Sequence, residues 1–133
     1  MIEGRKIMDD LKTQQIETLT FAIDYIAKLI PAFHTIAEEL RGNKQDDTVD
    51  LLNQAIEGLN LIIEIFNATA DTFRENEEVF KKDAIEQRIQ NMNAALKAHD
   101  DTGTAECIER EIIPFLDVYA KISKVYIDTQ NPD

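Results

Sequence analysis

Little in this chain can do chemistry unaided. It has one cysteine, two histidines, one serine and no tryptophan. Cys107 has no second thiol to pair with, so no internal disulfide forms and a reducing cytoplasm is the simplest compartment. Four glycines and three prolines are too few for the many turns of an all-β fold. Bases are scarce: 14 Lys and Arg against 26 Asp and Glu leave a net charge of −12. Nucleic-acid binding needs clustered bases to neutralise phosphates, and an anionic lipid surface repels the same acidic chain, so neither is an expected partner. Strongly apolar runs are broken by Glu, Asp or Lys within about six residues, far short of the roughly 20 that span a bilayer. The amino terminus lacks the apolar core of a signal peptide. At 133 residues the chain is one domain with one core.

What the chain does have is periodicity. In 48–73, Val49, Leu52, Ile56, Leu59, Ile63, Phe66, Ala70 and Phe73 recur at alternating spacings of three and four, a heptad seam that faces a partner helix. A second apolar row, Leu51, Ala55, Gly58, Ile62 and Ile65, runs beside it. The two rows together cover about 200° of the helix, more than an ordinary surface helix buries. The third face repeats Asp50, Asn53, Glu57, Asn60, Glu64, Asn67 and Asp71. An earlier seam, Ile16, Leu19, Ile23, Ile26, Ile30, Phe33, Ala37 and Leu40, predicts a helix from about Asp10 to Arg41, kinked at Pro31 and ended by Gly42. The short polar stretch 43–47 makes these two helices antiparallel neighbours, with Asp47 or Thr48 capping the second.

A third helix opens at Asp83, where Asp-Ala-Ile-Glu reads as a capping box, and carries Ile85, Ile89, Met92 and Leu96 to about His99. It is the shortest. A fourth, capped by Thr104, carries Ile108, Ile112, Phe115, Tyr119, Ile122 and Tyr126 and contains Pro114, a second kink site. The expected fold is all-α, an antiparallel up-down four-helix bundle spanning residues 6–128, with a frayed tail at 129–133. Residues 1–5 include Ile-Glu-Gly-Arg, which resembles the recognition sequence of factor Xa, and are read as a remnant of an expression tag. An offset of 56 residues aligns Leu40 with Leu96, Thr48 with Thr104 and Ile56 with Ile112, an echo that heptad patterning largely produces by itself.

Candidate chemistry is thin. A di-iron bundle needs Glu-x-x-His pairs, and neither His34 nor His99 has a Glu three residues before it. Asp50, Glu57, Glu64 and Asp71 lie about 10 Å apart along one row, too far to share an ion. Cys107 is ringed by Glu106, Glu109 and Glu111, which oppose thiolate formation. Asn67-Ala68-Thr69 matches a glycosylation sequon but falls mid-helix. No catalytic residue, cofactor or metal ligand is assigned. The three in-register asparagines are expected to hydrogen-bond along a helix boundary.

Aromatics supply the remaining signal. In an up-down bundle, Phe21, Tyr25, Phe66, Phe73, Phe80, Tyr119 and Tyr126 gather at one end, leaving Phe33 and Phe115 elsewhere. The short third helix leaves that end open, with Val79 and Phe80 partly covering it. These seven residues are the candidate interaction surface, an aromatic groove for a protein partner or for self-association as a homodimer. In size, charge and this groove the chain resembles bacterial secretion and flagellar export chaperones, a likeness of architecture that transfers no residue. The expected function is therefore non-enzymatic: a cytoplasmic, chaperone- or adaptor-like binder of protein. The alternatives are a structural homo-oligomer or, further off, a metal-binding bundle.

Overall fold

A computed structural model describes the backbone of residues 2–69 and 82–130, with side chains over 12–69 and 85–130. The chain is an all-α four-helix bundle, with no strand among the described residues. Helix α1 spans Ile2–Gly42, α2 Thr48–Thr69 and α3 Lys82–Lys97. The fourth rod, 101–130, is built in three pieces: α4 (Asp101–Cys107), a π-helical turn (Ile108–Ile112) and α5 (Ile113–Gln130). The bundle thus has the number of helices that the seams predict, and α3 is shorter than α1, α2 and the fourth rod.

Helix α1 starts earlier than its apolar seam, so Asp9 and Asp10 lie inside it instead of at its head. It runs unbroken through Pro31, which faces solvent. It touches both α2 and the fourth rod, and its sequence shows why. Leu19, Ile26, Phe33 and Leu40 of the seam are buried, and a parallel row, Ala22, Leu29 and Ile36, is buried as well. One stripe meets the fourth rod and the other meets α2. The stretch Lys12–Gly42 is also long and apolar enough, by length and composition, to cross a membrane. About a third of that apolar window is buried in the bundle, Leu19, Ile26 and Phe33 within the stretch, and Asp24 and Lys28 are exposed along it.

The turn between α1 and α2 is fastened by Thr48. Its buried hydroxyl accepts from the Gln45 N–H at 2.8 Å and donates to Glu39 Oε1 at 2.6 Å. Helix α3 ends at Lys97, and His99, with a φ of 54°, closes the turn after it as the Asp100 N–H donates to the Ala95 carbonyl at 3.0 Å. The next helix begins one turn before the expected Thr104 cap. Asp100 accepts from the Gly103 N–H at 2.9 Å, while Thr104 is buried and donates back to the Asp100 carbonyl. An aspartate carboxylate reaches the free N–H groups of a first turn better than a threonine already inside it.

The π turn ends at Ile112, two residues before Pro114. There the Ile113 N–H reaches back to the Ile108 carbonyl. Pro114 has no N–H, and its ring would crowd the carbonyl of Arg110 in a tight helix, so a wider turn relieves both problems. Arg88 of α3 donates to the Glu111 carbonyl in this turn at 3.2 Å, and Asn91 donates to the Glu111 carboxylate at 3.1 Å. The π turn is therefore also where α3 is tied to the fourth rod. At the bundle's two ends, Arg41 pairs with Glu109 at 2.8 Å and Tyr126 donates to Gln15 at 3.2 Å.

Candidate interaction surface

The seven aromatics do not form one surface. Phe66 of α2 and Tyr119 of α5 are completely buried. They close a three-ring cluster with Phe115: Phe66 meets Phe115 and Tyr119 edge-on at 5.4 Å each, and Phe115 stacks on Tyr119 at 6.0 Å. The expectation that Phe66 and Tyr119 line an open groove, with Phe115 elsewhere, is corrected on both points. Helical rotation turns all three inward, and edge-on packing of rings is favourable there. Tyr126 is half-buried and packs against the core. Phe73, Phe80 and Val79 lie outside the described residues.

The cluster carries polar groups. Tyr119 Oη lies 2.7 Å from Thr69 Oγ1, and Thr69 Oγ1 lies 2.8 Å from the Ile65 carbonyl. The threonine has one proton, so with that proton on Ile65 the tyrosine is the donor. Burial pushes the Tyr119 hydroxyl up to about 12, against the Thr69 hydrogen bond, which pulls the other way. The Ser123 hydroxyl, buried beside this pair, pulls the Tyr119 value down as Thr69 does.

Phe21 and Tyr25 remain accessible, and they point to a different place. Phe21 is 48% exposed, its ring 5.7 Å from that of Tyr25. Tyr25 is the first residue of a groove of about 460 Å3 between α1 and α2. Its α1 wall is Tyr25, Lys28, Leu29, Ala32, Thr35 and Ile36; its α2 wall is Leu51, Gln54 and Ala55. Small side chains make the hollow. Ala32 on α1 and Ala55 on α2 line it where larger residues would fill the gap, and the two helices approach closely at Gly58. A Cβ on Gly58 would stand 2.6 Å from Tyr25 Oη and 3.2 Å from Leu29 Cδ1, so the glycine is what lets the Tyr25 ring lie across α2.

The second apolar row of α2 is explained by this contact. Ala55, Gly58 and Ile62 are buried against α1, while Leu51 at the head of the row is 37% exposed on the groove's edge. Asn53, Asn60 and Asn67 are all exposed, and among the described residues none of them makes a hydrogen bond. The expected boundary network is absent because α1 occupies the opposite side of α2, leaving the asparagine face to solvent. Burial raises the Cys107 thiol, and the nearby Glu111 carboxylate raises it further, so the group is held away from thiolate. Among the described residues no three His, Cys, Asp or Glu side chains converge into a metal-holding group.

Residues 17–122, most of the chain, match the family described as a domain of unknown function (DUF8042), and the chain belongs to that family. No curated protein and no solved structure matches the chain.

Proposed function

We propose that this member of a family of unknown function is a non-enzymatic, cytoplasmic protein-binding domain. It acts as a chaperone- or adaptor-like module and offers the α1–α2 groove, with Phe21 and Tyr25 at one end, to a protein partner rather than to nucleic acid or a membrane. The observation that carries this is the groove itself. It is concave, about 460 Å3 in volume and floored by Leu29, Ile36 and Ala55. Two large apolar side chains, Phe21 and Leu51, stand exposed near its ends. Exposed apolar surface costs free energy unless a partner covers it, and concave apolar surface with aromatic anchors is what helix-in-groove recognition uses. The acidic composition supports the exclusion of nucleic acid.

The test is site-specific crosslinking in the native host. A photoreactive phenylalanine analogue placed at position 21 is expected to yield one discrete protein adduct on irradiation. Ala32→Trp, which fills the groove from an exposed helix position, is expected to remove that adduct without lowering the melting temperature. No adduct, or an adduct indifferent to Ala32→Trp, refutes the reading.

A further inference from the structure

The groove's chemistry specifies its occupant, on the premise that it binds protein. From Tyr25 to Ile36 the α1 wall is twelve residues long, about 17 Å of helix axis. That length accommodates three turns of a ligand helix with apolar anchors one turn apart. The floor is apolar, and the edges are not. On α1, Glu17, Asp24 and Glu38 share one heptad row and are all exposed. At 100° per residue they fall within about 80° of Lys28, on the side turned from α2. On α2, Asp50, Glu57 and Glu64 form the matching exposed row, about 40–80° beyond Gln54. Of these, Asp24 and Glu38 flank the ends of the α1 wall and Asp50 and Glu57 those of the α2 wall, so the groove is an apolar trough with acidic residues on both banks and Lys28 the one base among its lining residues.

We infer that the occupant is a basic amphipathic helix of a partner protein, lying along the α1–α2 groove. Its apolar stripe sits on Leu29, Ala32 and Ala55, and its Lys or Arg side chains reach the two banks. Charge selects this occupant over a second copy of the chain. Two bodies each carrying −12 would bring four acidic rows together, whereas basic flanks complement them. The long stems of Lys and Arg also suit a helix that must bury its centre and keep its charged ends at the edge.

Two synthetic 16-residue fluorescein-labelled peptides test this by anisotropy. Both carry a leucine stripe at i, i+3, i+7 and i+10; one has Lys at the flanking positions and the other Glu. The Lys peptide is expected to bind at least tenfold more tightly, and to weaken as salt rises. Asp24→Lys combined with Glu57→Lys is expected to reverse the order, and Ala32→Trp to abolish both. Equal affinity of the two peptides overturns the proposal. So does equal binding of a scrambled Lys peptide without the stripe, or indifference to Ala32→Trp. A concentration-dependent dimer in sedimentation, dispersed by Ala32→Trp, makes the occupant a second copy and also overturns it. If the peptide order fails while the position-21 adduct persists and remains sensitive to Ala32→Trp, only the partner's chemistry falls. If the adduct itself is missing, the protein-binding reading falls with it.

Discussion

The contact between Gly58 and Tyr25 can be weighed by a double-mutant cycle. Glycine within a helix costs about 1 kcal/mol relative to alanine, so Gly58→Ala should stabilise α2 by that much on backbone grounds alone. The structure opposes this. The added Cβ would stand 2.6 Å from Tyr25 Oη and 2.9 Å from its Cε1, well inside contact distance. The atoms in the way are the far end of a side chain, so the ring can leave, but it must give up its half-buried seat on α2 and its place at the groove. Forcing such a shift costs about 1–3 kcal/mol. In the wild-type background Gly58→Ala is therefore expected to be neutral or destabilising by up to about 2 kcal/mol. With Tyr25→Ala already present, the same substitution meets only Leu29 Cδ1 at 3.2 Å and should stabilise by about 1 kcal/mol. The coupling is about 1–3 kcal/mol. Urea unfolding of the four proteins, followed by helical circular dichroism, measures it. If Gly58→Ala stabilises equally in both backgrounds, Tyr25 does not pack on Gly58 and the groove's closed end is misplaced.

Four further outcomes are expected. Phe66→Ala, which removes a fully buried ring from the three-ring cluster, should cost about 3–5 kcal/mol. Phe21→Ala, at a half-exposed site, should cost less than about 1 kcal/mol in the same unfolding assay. The Tyr119 hydroxyl, held near 12 in the folded chain against roughly 10 when unfolded, gives a stability term that is whole below pH 10 and lost as pH rises toward 12. The two-unit gap corresponds to about 3 kcal/mol, so thermal unfolding should fall steeply over that window, and Tyr119→Phe should flatten it. Absorbance at 295 nm should assign the component titrating near 12 to the tyrosine removed by the same substitution. His99→Gly should raise stability by about 1 kcal/mol, because His99 holds a φ of 54° that glycine adopts without penalty; unchanged or lowered urea midpoints would count against that turn.

Much of the bundle was legible along the chain. Heptad spacing is a local property, so Leu19, Ile26, Phe33, Leu52, Leu59, Ile108 and Ile112 could be assigned to the core before any neighbour was known. Helix termini were legible only in part. Thr48 does open α2, but the fourth rod is capped by Asp100 and not by Thr104, because two plausible caps four residues apart are separated only by which one faces free N–H groups. The π turn had a signal in Pro114, yet a kink and a widened turn both answer a missing N–H.

The sequence by itself determined the fold class, the acidity, and the apolar rows that α2 must bury. The tertiary structure decided which row meets which partner. It turned Phe66, Phe115 and Tyr119 into one buried cluster and left Phe21 at the surface. It also joined Ala32, Ala55 and Gly58, three small residues from two helices, into a trough with a closed end. The physical reason is that periodicity reports one helix's own faces, whereas a ring's burial or a gap's existence depends on the height and rotation of the helix opposite. No spacing within either strand of sequence records those two quantities.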